Sequence, residues 1–305
     1  MKKIKIPRIP GDTIVYPMLI GVIINSLCPQ ILKMGSFFTS IVQGTGALVG
    51  AFLFFLGASI DIKSTPKAIK KGTIIIITKI AFSIALGLLI AFVFNDNFLG
   101  LSSLAVIGGI SVANNALYSG ITSEYGDDSD KGAVAVTSLS VGPTVTMIVL
   151  SSTGLASISV GPIIGSILPL VLGIILGNIS PFLKKTLSSS VTACIIVVGF
   201  ALGANMSFQQ LIQGGISGIL LGFITAIVAG FITMMADKIS GGSGIAGAAI
   251  SSTAASAVAN PAALAEVDAK YALIAPTATA QIAASVIITS FLTPLFTGWV
   301  HRHQK

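Results

Sequence analysis

The chain has 305 residues, a formal net charge of +7, 53% hydrophobic residues, only 9% charged residues and a mean hydropathy of +0.97. Soluble domains carry about 25% charged residues, so this composition excludes a soluble globular domain and points to a polytopic membrane protein. At about 20 apolar residues per crossing, the length allows roughly ten crossings joined by short connections and leaves no room for a separate soluble domain.

In chain order, the basic start MKKIKIPRIPGD leads into an apolar run without a small-residue cleavage site, which reads as a retained first span. Spans are expected at 13–29, 42–61, 73–94, 100–122, 132–154, 159–178, 188–206, 215–236, 243–265 and 273–299. Turn and charge signals separate them, among them Ser64-Thr65-Pro66, Asn95-Asp96-Asn97, Asp127-Asp128-Ser129-Asp130, Ser180-Pro181 and Asp268-Ala269-Lys270. Asp61, beside Lys63, reads as a solvated helix end, and Cys28 and Cys194 as isolated packing residues. With the N-terminus inside, 14 basic residues fall on the cytoplasmic side and only Lys33 and Lys270 outside. This asymmetry favours ten spans in a cytoplasmic (inner) membrane with both termini cytoplasmic, and it explains the net charge without a nucleic-acid partner.

Two stretches stand apart. Gly241 to Glu266 is built almost wholly of Gly, Ala and Ser, which let helices approach closely and suit a pathway lining. Pro261 is expected to break this helix near Ala259-Asn260 and free backbone carbonyls. Its counterpart is Ser102 to Tyr118, with the Asn114-Asn115 pair. Leu56-Gly57-Ala58-Ser59-Ile60 matches Leu202-Gly203-Ala204-Asn205-Met206, and Ile107 to Ser111 loosely matches Gly247 to Ser251. The matches keep their order five spans apart. Five is odd, so the second half runs inverted: repeats of 1–156 and 157–305, with broken, crossing fourth and ninth helices, as in secondary transporters. The expected fold is therefore all-α, ten transmembrane helices in two inverted five-helix repeats.

The candidate substrate-binding residues are Ser111, Asn114, Asn115, Ser251, Ser252, Thr253 and Asn260, whose amides and hydroxyls suit a hydroxylated anion, together with Lys79. Lys79 either snorkels to the surface or faces a carboxylate, helix C-terminal carbonyls or a negative substrate. Glu266, Asn114 and Gln281 are the candidates for ion coupling. Enzyme chemistry is poorly served: the two histidines, His301 and His303, lie in the C-terminal tail, away from any serine nucleophile. No phosphate-binding loop is present, which points to a gradient-driven process without cofactor or bound metal. A passive channel would share the small-residue lining but would need no paired broken helices.

The chain resembles the 2-keto-3-deoxygluconate permeases, a branch of the bile-acid, arsenite and riboflavin transporter superfamily. The residues that carry the resemblance are Phe55-Leu56-Gly57-Ala58-Ser59-Ile60, Thr78-Lys79-Ile80, Asn114 with Leu117-Tyr118, Tyr125-Gly126, Gly142-Pro143, Phe200 to Gly203, Ala236-Asp237-Lys238, Ser251-Ser252, Pro261, Ala265-Glu266, and Thr289-Ser290 with Pro294. The resemblance implies uptake of an acidic sugar by symport with protons, with a sodium-coupled organic-anion symporter of the same superfamily as the alternative. It also implies acidic residues where this chain has Ser111 and Ser140, which puts the coupling ion in question. The implied partners are the sugar acid, a coupling cation (H+ or Na+) and the lipid bilayer; a homo-oligomer is compatible with the sequence.

Overall fold

The computed structural model describes residues 12–60, 66–140, 142–158, 160–205 and 208–303. Among them the regular structure is helical, apart from one isolated bridge between Phe98 and Leu101. In hydrocarbon each backbone N–H and C=O needs an internal partner, and the helix supplies one without a neighbouring strand.

The first part of the chain forms α1 (Asp12–Leu27), α2 (Pro29–Leu32), α3 (Ser36–Gln43), α4 (Thr45–Ser59) and the long α5 (Pro66–Val93). There follow α6 (Ser103–Ile110), α7 (Asn115–Tyr125), α8 (Asp128–Gly132), α9 (Val134–Thr137) and α10 (Thr144–Ser152). The second part holds α11 (Val160–Ile179), α12 (Pro181–Ser189), α13 (Val191–Ala204), α14 (Phe208–Phe223) and α15 (Gly230–Ile239), the last two joined by a π-helical turn, Ile224–Ala229. It closes with α16 (Ile245–Ala249), α17 (Asn260–Val267) and α18 (Ala275–Arg302).

Among the described residues, four segments are long and apolar enough to cross a membrane: Pro66–Val93, Pro181–Ala204, Gly214–Ile239 and Ala275–Arg302; the pair α3 and α4, bent by 73°, makes a fifth if it is one span. Tyr16–Leu27 and Ile163–Ile179 are shorter apolar helices.

Small residues set the packing. A Cβ at Gly203 on α13 would overlap the carbonyl oxygen of Met18 on α1, and one at Gly57 on α4 would overlap that of Leu170 on α11. The pairs α1–α13 and α4–α11 thereby approach backbone to backbone, and Cys194 on α13 joins Val49 and Phe52 of α4 in one buried cluster. The remaining long helices, α5, α14–α15 and α18, pack around the two interrupted helices α6–α7 and α16–α17.

Three sequence expectations need correction or placement. The second interruption lies at 250–254, ahead of a short 3₁₀ turn, Ala255–Ala259, and Pro261 stands in the first turn of α17. There its missing N–H is an unpaired group in any helix, so the proline starts this helix instead of breaking it. Cys28 is exposed, not packed, whereas Cys194 is buried. Asp61 and Lys63 lie outside the described residues.

Candidate functional site

The two interruptions meet. α6 stops at Ile110 and α7 starts at Asn115, whose predecessor Asn114 caps it by accepting from Leu117 N–H at 3.1 Å. The four-residue gap exposes Val112 O, which accepts from Ala254 N–H of the second gap at 3.1 Å. Asn114 N–H in turn donates to Ser252 Oγ at 3.1 Å. Each unwound segment thus satisfies backbone groups of the other, which is how non-helical backbone survives when buried in an apolar protein.

Side chains complete the crossing. Lys79 on α5 is fully buried (0% exposed) and its Nζ donates to Ser252 O at 2.6 Å. It does not snorkel; it takes the option of facing freed helix carbonyls. Thr253 N–H donates to Thr289 Oγ1 at 3.0 Å, Thr253 Oγ1 lies 2.8 Å from Ser285 Oγ, and Thr293 Oγ1 donates to Ser251 O at 2.7 Å, so α18 braces the second gap. Ser251 Oγ returns to Ala248 O of its own helix at 2.6 Å. Ser140 Oγ donates to Ser111 O at 3.0 Å, which sets side by side the two serines standing where the resemblance implies acids. Asn260 Nδ2 reaches Gly108 O at 3.1 Å and thereby ties α17 to α6. Two acceptors at these helix ends, Ser111 Oγ and Asn260 Oδ1, are buried without a partner.

Two candidates stand at the edge of this group. Asn115 accepts from Thr137 Oγ1 of α9 at 3.0 Å. Gln281 donates from Nε2 to Gly100 O at 2.6 Å, ahead of α6, so it binds the loop before the first broken helix and not the gaps.

Open space lies along α17. One cavity of about 280 Å³ is lined by Gln43, Thr45, Asn205, Ala265, Glu266 and Thr279 among others, and a second of about 360 Å³ by Gly46, Leu53, Pro143, Met147, Pro169 and Glu266 among others. Glu266 is the residue common to both. Its carboxylate lies over Gly46, where a Cβ would overlap it. The cavities are lined from α3, α4, α10, α11 and α13 as well as from α17 and α18, and Glu266 projects from an interrupted helix into the crevice they form.

A further polar cluster, which sequence reasoning missed, lies at the far end of α5. Lys71 pairs with Asp130 of α8, and its Nζ is 3.7 Å from Asp127; Lys67 lies 3.8 Å from Asp127. Tyr118 OH, fully buried, donates to Asp130 O at 2.6 Å. Asp237 on α15, also buried, accepts from Gly244 N–H at 3.0 Å and Gly247 N–H at 3.2 Å through Oδ2. Asp127 caps α8 in a reciprocal capping box with Asp130. Burial alone would raise its carboxyl; the Ser129 hydroxyl, the Asp130 N–H and the charges of Lys71 and Lys67 outweigh that and hold it at about 2. The sequence did mark both acids, Asp237 within Ala236-Asp237-Lys238 four residues before a Gly-Gly-Ser-Gly turn and Asp130 within an acidic run, but in an apolar chain both read as span ends.

Helices apolar and long enough to span a membrane, packed around two interrupted helices that meet at a shared polar contact, mark an integral membrane protein, and the family it falls in makes it a transport protein and not an enzyme. The chain belongs to the 2-keto-3-deoxygluconate permease family: that family's profile matches residues 3–305. It is similar to 2-keto-3-deoxygluconate permease 1 of Salmonella typhimurium (42% identity, covering 98% of this chain and 95% of the relative). It is also similar to the 2-keto-3-deoxygluconate permeases of Bacillus subtilis (38%, covering 99% and 94%) and of Enterobacter sp. (36%, covering 97% and 92%).

Proposed function

We propose that the protein is a secondary carrier that imports 2-keto-3-deoxygluconate, or a closely related sugar acid, by cation symport with alternating access. The observation that carries this reading is the contact between the two gaps, Ala254 N–H to Val112 O and Asn114 N–H to Ser252 Oγ. Paired broken helices of this kind frame the substrate site of secondary transporters.

The helix pairing supports ten spans in two inverted repeats, 1–156 and 157–305. Shifting by five spans turns the α1–α13 pair into the α11–α4 pair, and the matched glycines Gly203 and Gly57 stand at both close approaches. The basic residues support a cytoplasmic membrane location with both termini inside. Ser111, Asn114, Asn115, Ser251, Ser252, Thr253 and Asn260 would supply polar groups for the sugar acid, with Lys79 supplying the positive charge; none of them lines the cavities at Glu266, so alternating access would have to open the crossing to the substrate. Glu266, Asn114 and Gln281 would serve the coupling cation, with a proton as the leading choice. The unpartnered oxygens Ser111 Oγ and Asn260 Oδ1 favour a second reading, coupling to sodium, because hard cations take neutral oxygen ligands.

The test is uptake of labelled 2-keto-3-deoxygluconate into proteoliposomes under an inward proton gradient or an inward sodium gradient. Accumulation under the proton gradient alone is the expected result. Accumulation under sodium alone assigns the second reading, and none under either removes the substrate assignment.

A further inference from the structure

The cluster at the end of α5 holds an excess of buried acid. Asp130 and Asp237 are both 0% exposed, while among the described residues Lys71 is the one cation buried with them, and Lys71 is already paired with Asp130. Charging all three leaves one negative charge inside the protein, which costs far more than binding a proton. The hydrogen bonds identify the group left over. Asp130 has Lys71 on Oδ1 and the Asp127 N–H on Oδ2 at 3.0 Å. Asp237 receives both of its N–H donors on Oδ2, and its Oδ1 is buried with no partner at all.

That bare oxygen is close to a way out. A Cβ on Gly242 would overlap Asp237 Oδ1, so only the glycine backbone separates it from the turn 240–242. The same turn, with Lys67, Lys70 and Lys71, lines a cavity of about 150 Å³. The groups facing Asp237 are Lys71 from α5 and Asp130 from α8, with Tyr118 of α7 on the far side of Asp130. On its own helix Lys238 is exposed. On α18, His301 stacks on Tyr125 and Arg302 donates to Gly298 O.

We propose that Asp237 is a proton-binding site of this carrier, loaded at Oδ1 and exchanging with water through the cavity beside Gly242. The proposal rests on the symport reading in its proton-coupled form, and it deepens that reading by moving a proton site away from the crevice. Because Oδ2 holds the N–H groups of Gly244 and Gly247, the charge on Asp237 bears directly on the start of the second interrupted helix. Gain or loss of the proton therefore changes how firmly α16 is held to α15.

The hydrogen-bond pattern supplies a clean variant. In D237N the amide oxygen accepts both N–H groups and the amide nitrogen replaces the oxygen that has no partner, so the fold is retained while the proton site is lost. Wild type and D237N are compared in proteoliposomes by substrate counterflow without a gradient, by accumulation under an inward proton gradient, and by infrared spectra over a pH series. The expected result is retained counterflow, loss of proton-driven accumulation, and loss of the stretching band of a protonated carboxyl that wild type shows near neutral pH. The proposal is overturned if wild type shows no such band, or if D237N keeps both the band and the accumulation. The infrared comparison needs no transport, so absence of uptake by wild type would sink the symport reading while leaving the proton site to be decided by the spectra.

Discussion

Lys79 shows how a single buried charge shapes the crossing. An ammonium in an apolar protein is expensive, and this one is held by Ser252 O, whose own residue also receives Asn114 N–H through its hydroxyl. K79M removes the charge but leaves Ser252 O bare, at a cost of about 1–3 kcal/mol, so the two effects on stability oppose each other. The expected outcome is an unfolding temperature near that of wild type with uptake of the anionic substrate lost, read by thermal unfolding and by proteoliposome uptake. Asp127 gives a pH-dependent counterpart. Its carboxyl is held at about 2, below its ordinary value, so the stabilisation is full above pH ~4 and is lost as pH falls toward 2. Thermal unfolding of D127N should lie below wild type at neutral pH and converge with it over that acid range. Lys79 was legible in the sequence as an intramembrane charge in need of a partner. Asp130 and Asp237 were not, because each stands next to a turn, and only the fold shows that these two side chains are buried.

At the scale of elements, apolar runs and turn signals located these helices: the third expected span, 73–94, overlaps Pro66–Val93 in all but its last residue, and the last, 273–299, largely coincides with Ala275–Arg302. The small-residue stretches also marked the interrupted helices. The site of the second break was misread, because a proline that ends one helix and a proline that begins the next look alike without the backbone in view. The glycines of the matched segments give a paired prediction. Adding a methyl at Gly57 or Gly203 forces apart helices that touch through backbone, and overpacking of this kind costs about 1–3 kcal/mol. G57A and G203A should therefore lower the unfolding temperature by similar amounts, whereas G161A, with open space at its Cβ, should not.

For the whole molecule, periodicity and repeats made the two gaps legible but not the crevice along α17. Glu266 stood at the end of a span in the sequence, with nothing to show that α17 turns it toward Gly46 and the opposite helix group. The site residues divide accordingly: most of the polar groups named from sequence hold the crossing together, while the open space belongs to Glu266 and to residues of α3, α4 and α13 that carried no chemical signal. The most direct measurement of the account places a cysteine at Ala265, on the crevice wall, in a background with Cys28 and Cys194 replaced by serine. Its labelling by a membrane-impermeant thiol reagent is then followed in membrane vesicles. The account predicts labelling that 2-keto-3-deoxygluconate slows at concentrations that saturate uptake; labelling indifferent to the sugar acid would contradict it.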